Sequence, residues 1–202
     1  MATAGYDALP ADDLIRLRNH GVTPDYLGEI AGSGYDNTEV DELIRMRNHG
    51  LTGDYLSGLS DAGLAEAPLD EVIRLRSHGV TTDYVQRLVE IGHTELDGED
   101  IIRLRNHGVA PAYVRGMHDA GLADLTVSEL CALRTHGLSP DYVKKILEAA
   151  GRDYAADELI RLRRHGIDGS FIERMATHGH DLAVDELIRL RLHGEEHRRE
   201  TA

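Results

Sequence analysis

Apolar residues recur along the chain with the spacing of a helix. In the segment that begins at Val40, apolar side chains fall at Val40, Leu43 and Ile44, which is one face of a helix with about 3.6 residues per turn. Gly50 follows the segment and suits the left-handed position at which many helices end. A second apolar segment starts at once. The pattern predicts two short helices, helix A and helix B, joined by a tight turn.

The start of helix B carries its own sequence signals, which are clearest in the first copy. Thr23 can cap the helix, Pro24 suits the first helical position, and Asp25 favours the positive end of the helix dipole. The tyrosine that follows recurs in the later copies and becomes Phe171 in the last, and we interpret this aromatic series as core. The turn between the two helices is therefore tightly specified.

The pair of helices is repeated along the whole chain. The His-Gly of the turn recurs at intervals of 29, 29, 29, 29, 29 and 28 residues. A fixed period of this length is typical of a solenoid, in which each unit buries its apolar face by stacking on the next. The sequence therefore predicts an all-α protein, an alpha-solenoid of two-helix repeats with seven A helices and six B helices.

The repeats set the predicted regions of the chain. Residues 1–9 form a short lead-in, residues 10–194 form the solenoid domain, and residues 195–202 form a charged tail that we predict to be disordered. The first and last A helices keep the apolar pattern of the internal ones, although repeat arrays ordinarily have polar outer faces at their ends. This predicts weak end-to-end association between copies.

Composition narrows the classes of partner and compartment. The chain has 22 basic and 36 acidic residues and a net charge of −14, which disfavours binding to nucleic acid or to an anionic membrane. The single cysteine, Cys131, rules out an internal disulfide and replaces an isoleucine of the other units, so it is predicted to be a core residue. No apolar stretch approaches the length of a signal peptide or a membrane span. We expect a cytoplasmic protein.

Two rows of arginine run through the A helices. The outer row has an acid four residues earlier in each unit, and both are replaced together in the fifth unit by Ala132 and Ser128, which predicts ion pairs within each helix. The outer row and its acids are Arg16, Arg45, Arg74, Arg103, Arg161 and Arg189, with Asp12, Asp41, Asp70, Glu99, Asp157 and Asp185.

The inner row lies near the middle of the apolar stripe, where a buried guanidinium needs partners. Its members are Arg18, Arg47, Arg76, Arg105, Arg134, Arg163 and Arg191. The candidate partners are the last carbonyl groups of the same helix and an acid found in all seven units, at Asp13, Glu42, Glu71, Asp100, Glu129, Glu158 and Glu186. We predict a structural ladder between units, and a basic groove that binds carboxylates or phosphates stays open as the alternative.

The histidine of His-Gly recurs at His20, His49, His78, His107, His136, His165 and His193. We predict that these side chains cap their helices, because stacked helices about 8 to 10 Å apart hold successive histidines too far apart to share one zinc ion at about 2 Å. A binding row or a pH-responsive row stays open. His193 to His197 match the metalloprotease pattern H-x-x-E-H, which we reject because Gly194 is predicted to end the helix. No catalytic residue, metal site or cofactor is predicted.

The outer face of helix B varies between units and becomes basic from the third unit onward. It offers a candidate partner surface, and a simple solvated face is the alternative. We name these residues the B-helix basic positions: Arg87, Arg115, Lys144, Lys145 and Arg174.

The repeated core LR-x-HGV-[TS]-P-x-[YF], followed by a helix closed by glycine, resembles a bacterial two-helix repeat of about 29 residues. That repeat is also found appended to membrane metallopeptidases of the beta-lactam-sensor type. The resemblance covers residues 10–194 and implies a bacterial repeat module of undefined role. It implies no peptidase activity, because no protease domain accompanies the repeats.

These patterns favour a non-catalytic protein-binding or scaffolding module, because a solenoid presents extended surfaces to partners. Two alternatives remain. The first is a self-assembling structural repeat protein, and the second is a metal-binding or anion-binding protein that uses the repeated histidine or arginine rows.

Overall fold

The computed structural model describes residues 9–35, 38–180 and 182–200, with side chains up to residue 193. Within these residues it has thirteen α-helices and no strand, which confirms the predicted all-α fold. The A helices are α1 (Ala11–Asn19), α3 (Val40–Asn48), α5 (Leu69–Ser77), α7 (Gly98–Asn106), α9 (Val127–Thr135), α11 (Ala156–Arg164) and α13 (Val184–Glu200). The B helices are α2 (Pro24–Ile30), α4 (Gly53–Leu59), α6 (Thr82–Glu90), α8 (Pro111–Asp119), α10 (Pro140–Ala150) and α12 (Gly169–Thr177).

Each helix packs on the equivalent helix of the neighbouring repeat. The chain forms two compact units, Met1–Asn106 and His107–Ala202. In the first unit, α1 packs on α3 and α5 on α7, while α2 packs on α4 and α4 on α6. In the second unit, α9 packs on α11 and α11 on α13, while α8 packs on α10 and α10 on α12. This consecutive packing is that of an alpha-solenoid of two-helix repeats.

The turn from helix A to helix B has the predicted geometry. At the first turn, Gly21 has a φ of 72°, and its N–H donates to the Arg18 carbonyl oxygen at 3.0 Å. The Val22 N–H donates to the Leu17 carbonyl oxygen at 2.9 Å, which completes a Schellman motif. The Thr23 hydroxyl oxygen then accepts the Tyr26 N–H at 3.2 Å and caps helix B. These local hydrogen bonds set the reversal of the chain.

The interior of each unit is apolar. In α3, Leu43 and Met46 are fully buried, and Leu51 and Leu59 of the same repeat are buried with them. Cys131 is buried as predicted for a core residue. Apart from tyrosine and cysteine, the described residues include no polar or charged residue that is buried. The repeated arginines and histidines therefore lie at the surface.

The last A helix departs from the prediction, because α13 continues through Gly194 to Glu200. The predicted helix end at Gly194 is wrong, and the tail, which we predict from the sequence to be disordered, is helical as far as Glu200. In the other repeats a buried apolar residue follows the glycine, as Val80 and Leu138 do, and draws the chain into helix B. Gly194 is followed by Glu195, so that contact is missing, and the next residues are good helix formers. Residues 1–8 of the predicted lead-in lie outside the described residues.

Candidate functional site

The inner arginines lie over the aromatic rings of the preceding repeat. In the first unit, the Arg47 guanidinium carbon is 4.9 Å from the centre of the Tyr26 ring. The equivalent distances are 4.8 Å for Arg76 over Tyr55, 5.7 Å for Arg105 over Tyr84, 5.1 Å for Arg134 over Tyr113, 5.0 Å for Arg163 over Tyr142 and 5.6 Å for Arg191 over Phe171. These are cation–π distances. We call the seven inner arginines the guanidinium row.

The tyrosine hydroxyl groups make a second contact between repeats. The Tyr55 hydroxyl donates to the Val80 carbonyl oxygen at 3.1 Å, and Tyr113 and Tyr142 donate to the equivalent carbonyls at 3.0 Å and 2.7 Å. Burial raises the pKa of each of these three hydroxyl groups to about 12. The buried Tyr26 hydroxyl has no hydrogen-bond partner among the described residues. The next repeat therefore contacts the face of the aromatic ring and, for Tyr55, Tyr113 and Tyr142, also accepts a hydrogen bond from the hydroxyl group.

The guanidinium row is not buried and is not paired as predicted. Its members are exposed, apart from the half-buried Arg191. Arg134 donates from Nε to the Gly108 carbonyl oxygen of the preceding repeat at 3.0 Å, not to its own helix. Within the described part of the chain, Arg47, Arg76 and Arg163 have no carboxylate oxygen within the 4.0 Å that defines an ion pair. For these four arginines the predicted burial and pairing with an acid are therefore wrong, and their contact with the neighbouring repeat is made with an aromatic ring.

Three of the acids proposed as partners of the inner arginines accept backbone N–H groups instead, and two others, Asp13 and Glu186, contact the outer arginines Arg16 and Arg189. Glu129 accepts the Thr126 N–H at 2.9 Å, Glu158 accepts the Ala155 N–H at 2.9 Å, and Glu71 accepts the Gly98 N–H of the next A helix at 2.9 Å. Hydrogen bonds with Thr126 hold the pKa of Glu129 below its usual value. These acids lie in the first turn of their helices, where backbone N–H groups are free to donate, whereas the arginines lie in the last turn.

The outer arginines form ion pairs between repeats. Arg16 contacts Asp41, and the same contact recurs as Arg45 with Asp70, Arg74 with Glu99, and Arg161 with Asp185. For these four arginines the predicted partner four residues earlier in the same helix is therefore wrong, although Arg16 also contacts Asp13 of its own helix. A neighbour four residues along a helix is about 6 Å away and a packed helix is about 8 to 10 Å away, so spacing alone did not separate the two arrangements. These pairs neutralise much of the outer row.

The histidines also reach the next repeat. His20 Nδ1 lies 3.2 Å from Asn48 Oδ1, and the same contact recurs as His49 with Ser77 at 3.5 Å, His78 with Asn106 at 3.1 Å and His107 with Thr135 at 3.1 Å. The histidine residues do occupy the helix C-cap, where the His20 N–H donates to the Arg16 carbonyl oxygen at 3.2 Å. The prediction of side-chain capping is wrong for these four histidines.

The argument against the metalloprotease pattern at His193 was that Gly194 ends the helix. That argument fails, because the helix is continuous through Gly194. The side chains from 194 to 197 lie outside those described, so the pattern has no structural test. Over the described ranges there is no cluster of three or more histidine, cysteine or acidic side chains that could hold a metal ion.

The B-helix basic positions are exposed, and Arg87 and Lys144 form ion pairs with acids of their own helices. In the first unit, Arg87 donates to Asp83 at 2.9 Å. In the second unit, Lys144 lies 3.9 Å from Glu148, and Arg174 stacks on Phe171 at 5.6 Å. Lys145 lines an open groove of mixed charge between α10 and α12, together with Glu148, Asp168 and Glu173. A partner surface on these residues stays a prediction. Acids neutralise two of the B-helix basic positions, whereas Arg47, Arg76 and Arg163 of the guanidinium row have no acid at contact distance among the described residues.

The stacking of the inner arginines on the aromatic rings was missed at the level of sequence. The signal was present, because an arginine follows the aromatic residue of each of the first five B helices by 21 positions and follows Phe171 by 20. A constant offset between two repeated residues indicates a contact between neighbouring units.

Comparison with known proteins does not assign the chain to a family. No protein-family model matches the chain, and no curated protein matches it. None of the helices in the described part of the chain is long and apolar enough to cross a membrane.

Proposed function

We propose that this protein is a non-catalytic protein-binding or scaffolding module of the cytoplasm, and that the guanidinium row contacts the partner. The observation that supports the proposal is the exposed charge of this row. Arg47 and Arg76 each place one face on a buried tyrosine and leave their charge without a carboxylate among the described residues. The neighbouring Arg45 and Arg74 of the outer row are neutralised by acids.

The chemistry of the row favours acidic groups on the partner. A guanidinium stacked on a ring keeps the N–H donors at its edge, and their planar arrangement matches a carboxylate. The aromatic ring restricts the side chain in advance, which lowers the entropy lost on binding. The protein has a net charge of −14, yet among the described residues Arg47, Arg76 and Arg163 have no acid at contact distance.

The spacing of the row indicates the form of the partner. Neighbouring A helices lie about 8 to 10 Å apart, and every third residue of an extended chain is about 10 Å from the last. An extended segment with an acid at every third position therefore matches one guanidinium per repeat. The predicted resemblance to a bacterial two-helix repeat is compatible with such a role and stays a prediction.

The test compares two triple variants that change the net charge equally. In the first, Arg47, Arg76 and Arg105 are replaced by Gln. In the second, the outer residues Arg16, Arg45 and Arg74 are replaced by Gln. The probe is a fluorescein-labelled (Glu-Ser-Gly)n peptide, with a (Gln-Ser-Gly)n peptide as its control, and binding is followed by fluorescence anisotropy.

We expect the native chain to bind the acidic probe and to ignore the neutral one. The inner-row variant should lose at least about tenfold in affinity, and the outer-row variant should stay within about threefold. Circular dichroism and urea unfolding confirm that both variants fold. Equal losses in the two variants would show that net charge alone binds the peptide, and no binding by the native chain would refute recognition of acidic segments by this row.

A further inference from the structure

The first A helix exposes an apolar face that the other A helices bury. Leu14 is 50% exposed and Ile15 is 56% exposed. At the position of Leu14, the equivalent side chains are at most 1% exposed, and these are Leu43, Val72, Ile101, Leu130, Leu159 and Leu187. In the second repeat, Ile44 at the position of Ile15 is 7% exposed. The exposed face of α1 is therefore the face that a preceding repeat covers.

The same helix presents one half of the ion pair that links the repeats. In each such pair, an outer arginine contacts the acid in the first turn of the next A helix, as Arg16 contacts Asp41. Asp12 is the equivalent acid of α1, and it has no ion pair or hydrogen bond among the described residues. An arginine from a preceding A helix is the group that would complete this contact.

The last A helix presents the other half. Arg189 of α13 contacts Glu186 of its own helix at 2.9 Å, as Arg16 contacts Asp13 at 3.2 Å. Arg16 has a second acid on the next A helix, whereas Arg189 has no second acid among the described residues. Leu190 is half-buried, although its equivalents from Met46 to Leu162 are fully buried. The open face of α13 is thus both apolar and cationic.

We propose that the occupant of the α1 face is the α13 face of a second copy, so that two chains associate head to tail by continuing the repeat. Leu14 and Ile15 contact Leu190, and Asp12 pairs with Arg189 of the neighbouring copy. Pairing of α1 with another α1 would leave Arg189 and Leu190 uncovered, which makes it the poorer match. The inference does not depend on the guanidinium row and stands or falls apart from the proposed function.

We expect the association to be weak, because the interface is small and both copies carry a negative net charge. One helix face on each side buries less than the roughly 1,200 Å² of a stable interface. A net charge of −14 on each copy opposes contact at low salt, and screening relieves that repulsion while the apolar contact remains. Because the two faces differ, the interface is heterologous and can add further copies.

The test is sedimentation velocity of the full chain over a concentration series in about 0.15 M salt. We expect the weight-average sedimentation coefficient of the native chain to rise with concentration. Ile15→Asp should abolish the rise, because a charge would have to be buried in the interface. Asp12→Arg and Arg189→Asp should each weaken association by about threefold to tenfold, because each places like charges in contact.

A mixture of the two charge variants decides the geometry. In an equimolar mixture every interface between unlike variants again joins an aspartate to an arginine, so association should recover to within about twofold of the native level. This recovery also shows that both variants are folded. Native chain that sediments as a monomer at all concentrations would overturn the proposal and indicate that the chain covers its own α1 face. Association that Arg189→Asp leaves unchanged would overturn it in favour of α1 pairing with α1.

Discussion

The tyrosine hydroxyl bonds provide the sharpest test of how the repeats are joined, because the chain contains its own control. Tyr55→Phe removes the hydroxyl that donates to the Val80 carbonyl oxygen at 3.1 Å. Tyr26→Phe removes the equivalent hydroxyl one repeat earlier, where it has no partner among the described residues. The guanidinium carbons lie 4.8 Å and 4.9 Å from the two rings, so the cation–π contact is the same in both positions.

The expected magnitude follows from these contacts. Loss of one intramolecular hydrogen bond costs about 0.5 to 1.5 kcal/mol, and a carbonyl oxygen that loses its donor in a buried site adds to the cost. We therefore expect Tyr55→Phe to lower the free energy of unfolding by about 1 to 2 kcal/mol. Tyr26→Phe should not lower it and should raise it by up to about 1 kcal/mol, because removal of a buried hydroxyl without a partner removes its desolvation cost.

The assay is urea unfolding of both variants and the native chain, followed by circular dichroism. An unchanged denaturant slope shows that the midpoint shift reports stability. For a unit of about 100 residues, 1 kcal/mol corresponds to about 4 to 8 °C in the melting temperature, which calorimetry resolves easily. Equal shifts in the two variants would refute the assignment of the bond, because they would show that the hydroxyl at either position contributes in the same way.

Three further predictions concern the backbone, helix packing and pH. Gly108→Val should cost about 1 to 3 kcal/mol in thermal unfolding, because φ is +67° and no atom lies within 4 Å of the added Cβ, so only backbone strain acts. An unchanged melting temperature would contradict the left-handed assignment. Gly53→Ala should destabilise by about 1 to 3 kcal/mol in urea, because its Cβ would lie 1.9 Å from the Glu29 carbonyl oxygen. Gly28→Ala is the control, with open space around its Cβ, and should be neutral or stabilising by up to about 1 kcal/mol; equal losses in both would contradict the close approach. Burial raises the pKa of Tyr26, Tyr55, Tyr113 and Tyr142 from 10.0 to about 12, so the folded state holds these protons more tightly. Their contribution to stability should be complete below pH 10.0 and lost as the pH rises from there through about 12, and urea midpoints that stay flat over this range would refute it.

The fold could be predicted from the sequence because its signals are local and are repeated. The glycine after each of the first six A helices, the cap at Thr23 and the proline at Pro24 act within one turn of chain, and the structure has them where the sequence predicts them. The end of α13 could not be predicted in the same way. Gly194 has the same local sequence as the other glycines, and only the missing apolar residue after it distinguishes it.

The partners of the charged residues could not be read from one helix at a time. Helical spacing shows which face Arg47 and Arg16 occupy, but the groups they meet belong to another repeat. The close approach of Gly53 to Glu29 was hidden for the same reason, since a glycine at a variable position gave no sign of the carbonyl beside it. A contact between repeats is predicted from the constant spacing between two different repeated residues. The period of one residue alone does not give that spacing.

The proposed binding role of the guanidinium row can be separated from its contact with the neighbouring repeat, because the two depend on different groups. Burial of the apolar stripes dominates the stacking of the repeats, whereas an exposed cation–π contact contributes only about 0.5 to 1 kcal/mol. The hydroxyl variants change the contact between repeats and leave the surface charge intact. The arginine variants remove the charge and leave the buried tyrosine in place. A binding defect confined to the second set therefore assigns the row to recognition, and a stability defect shared by both assigns it to the register of the repeats.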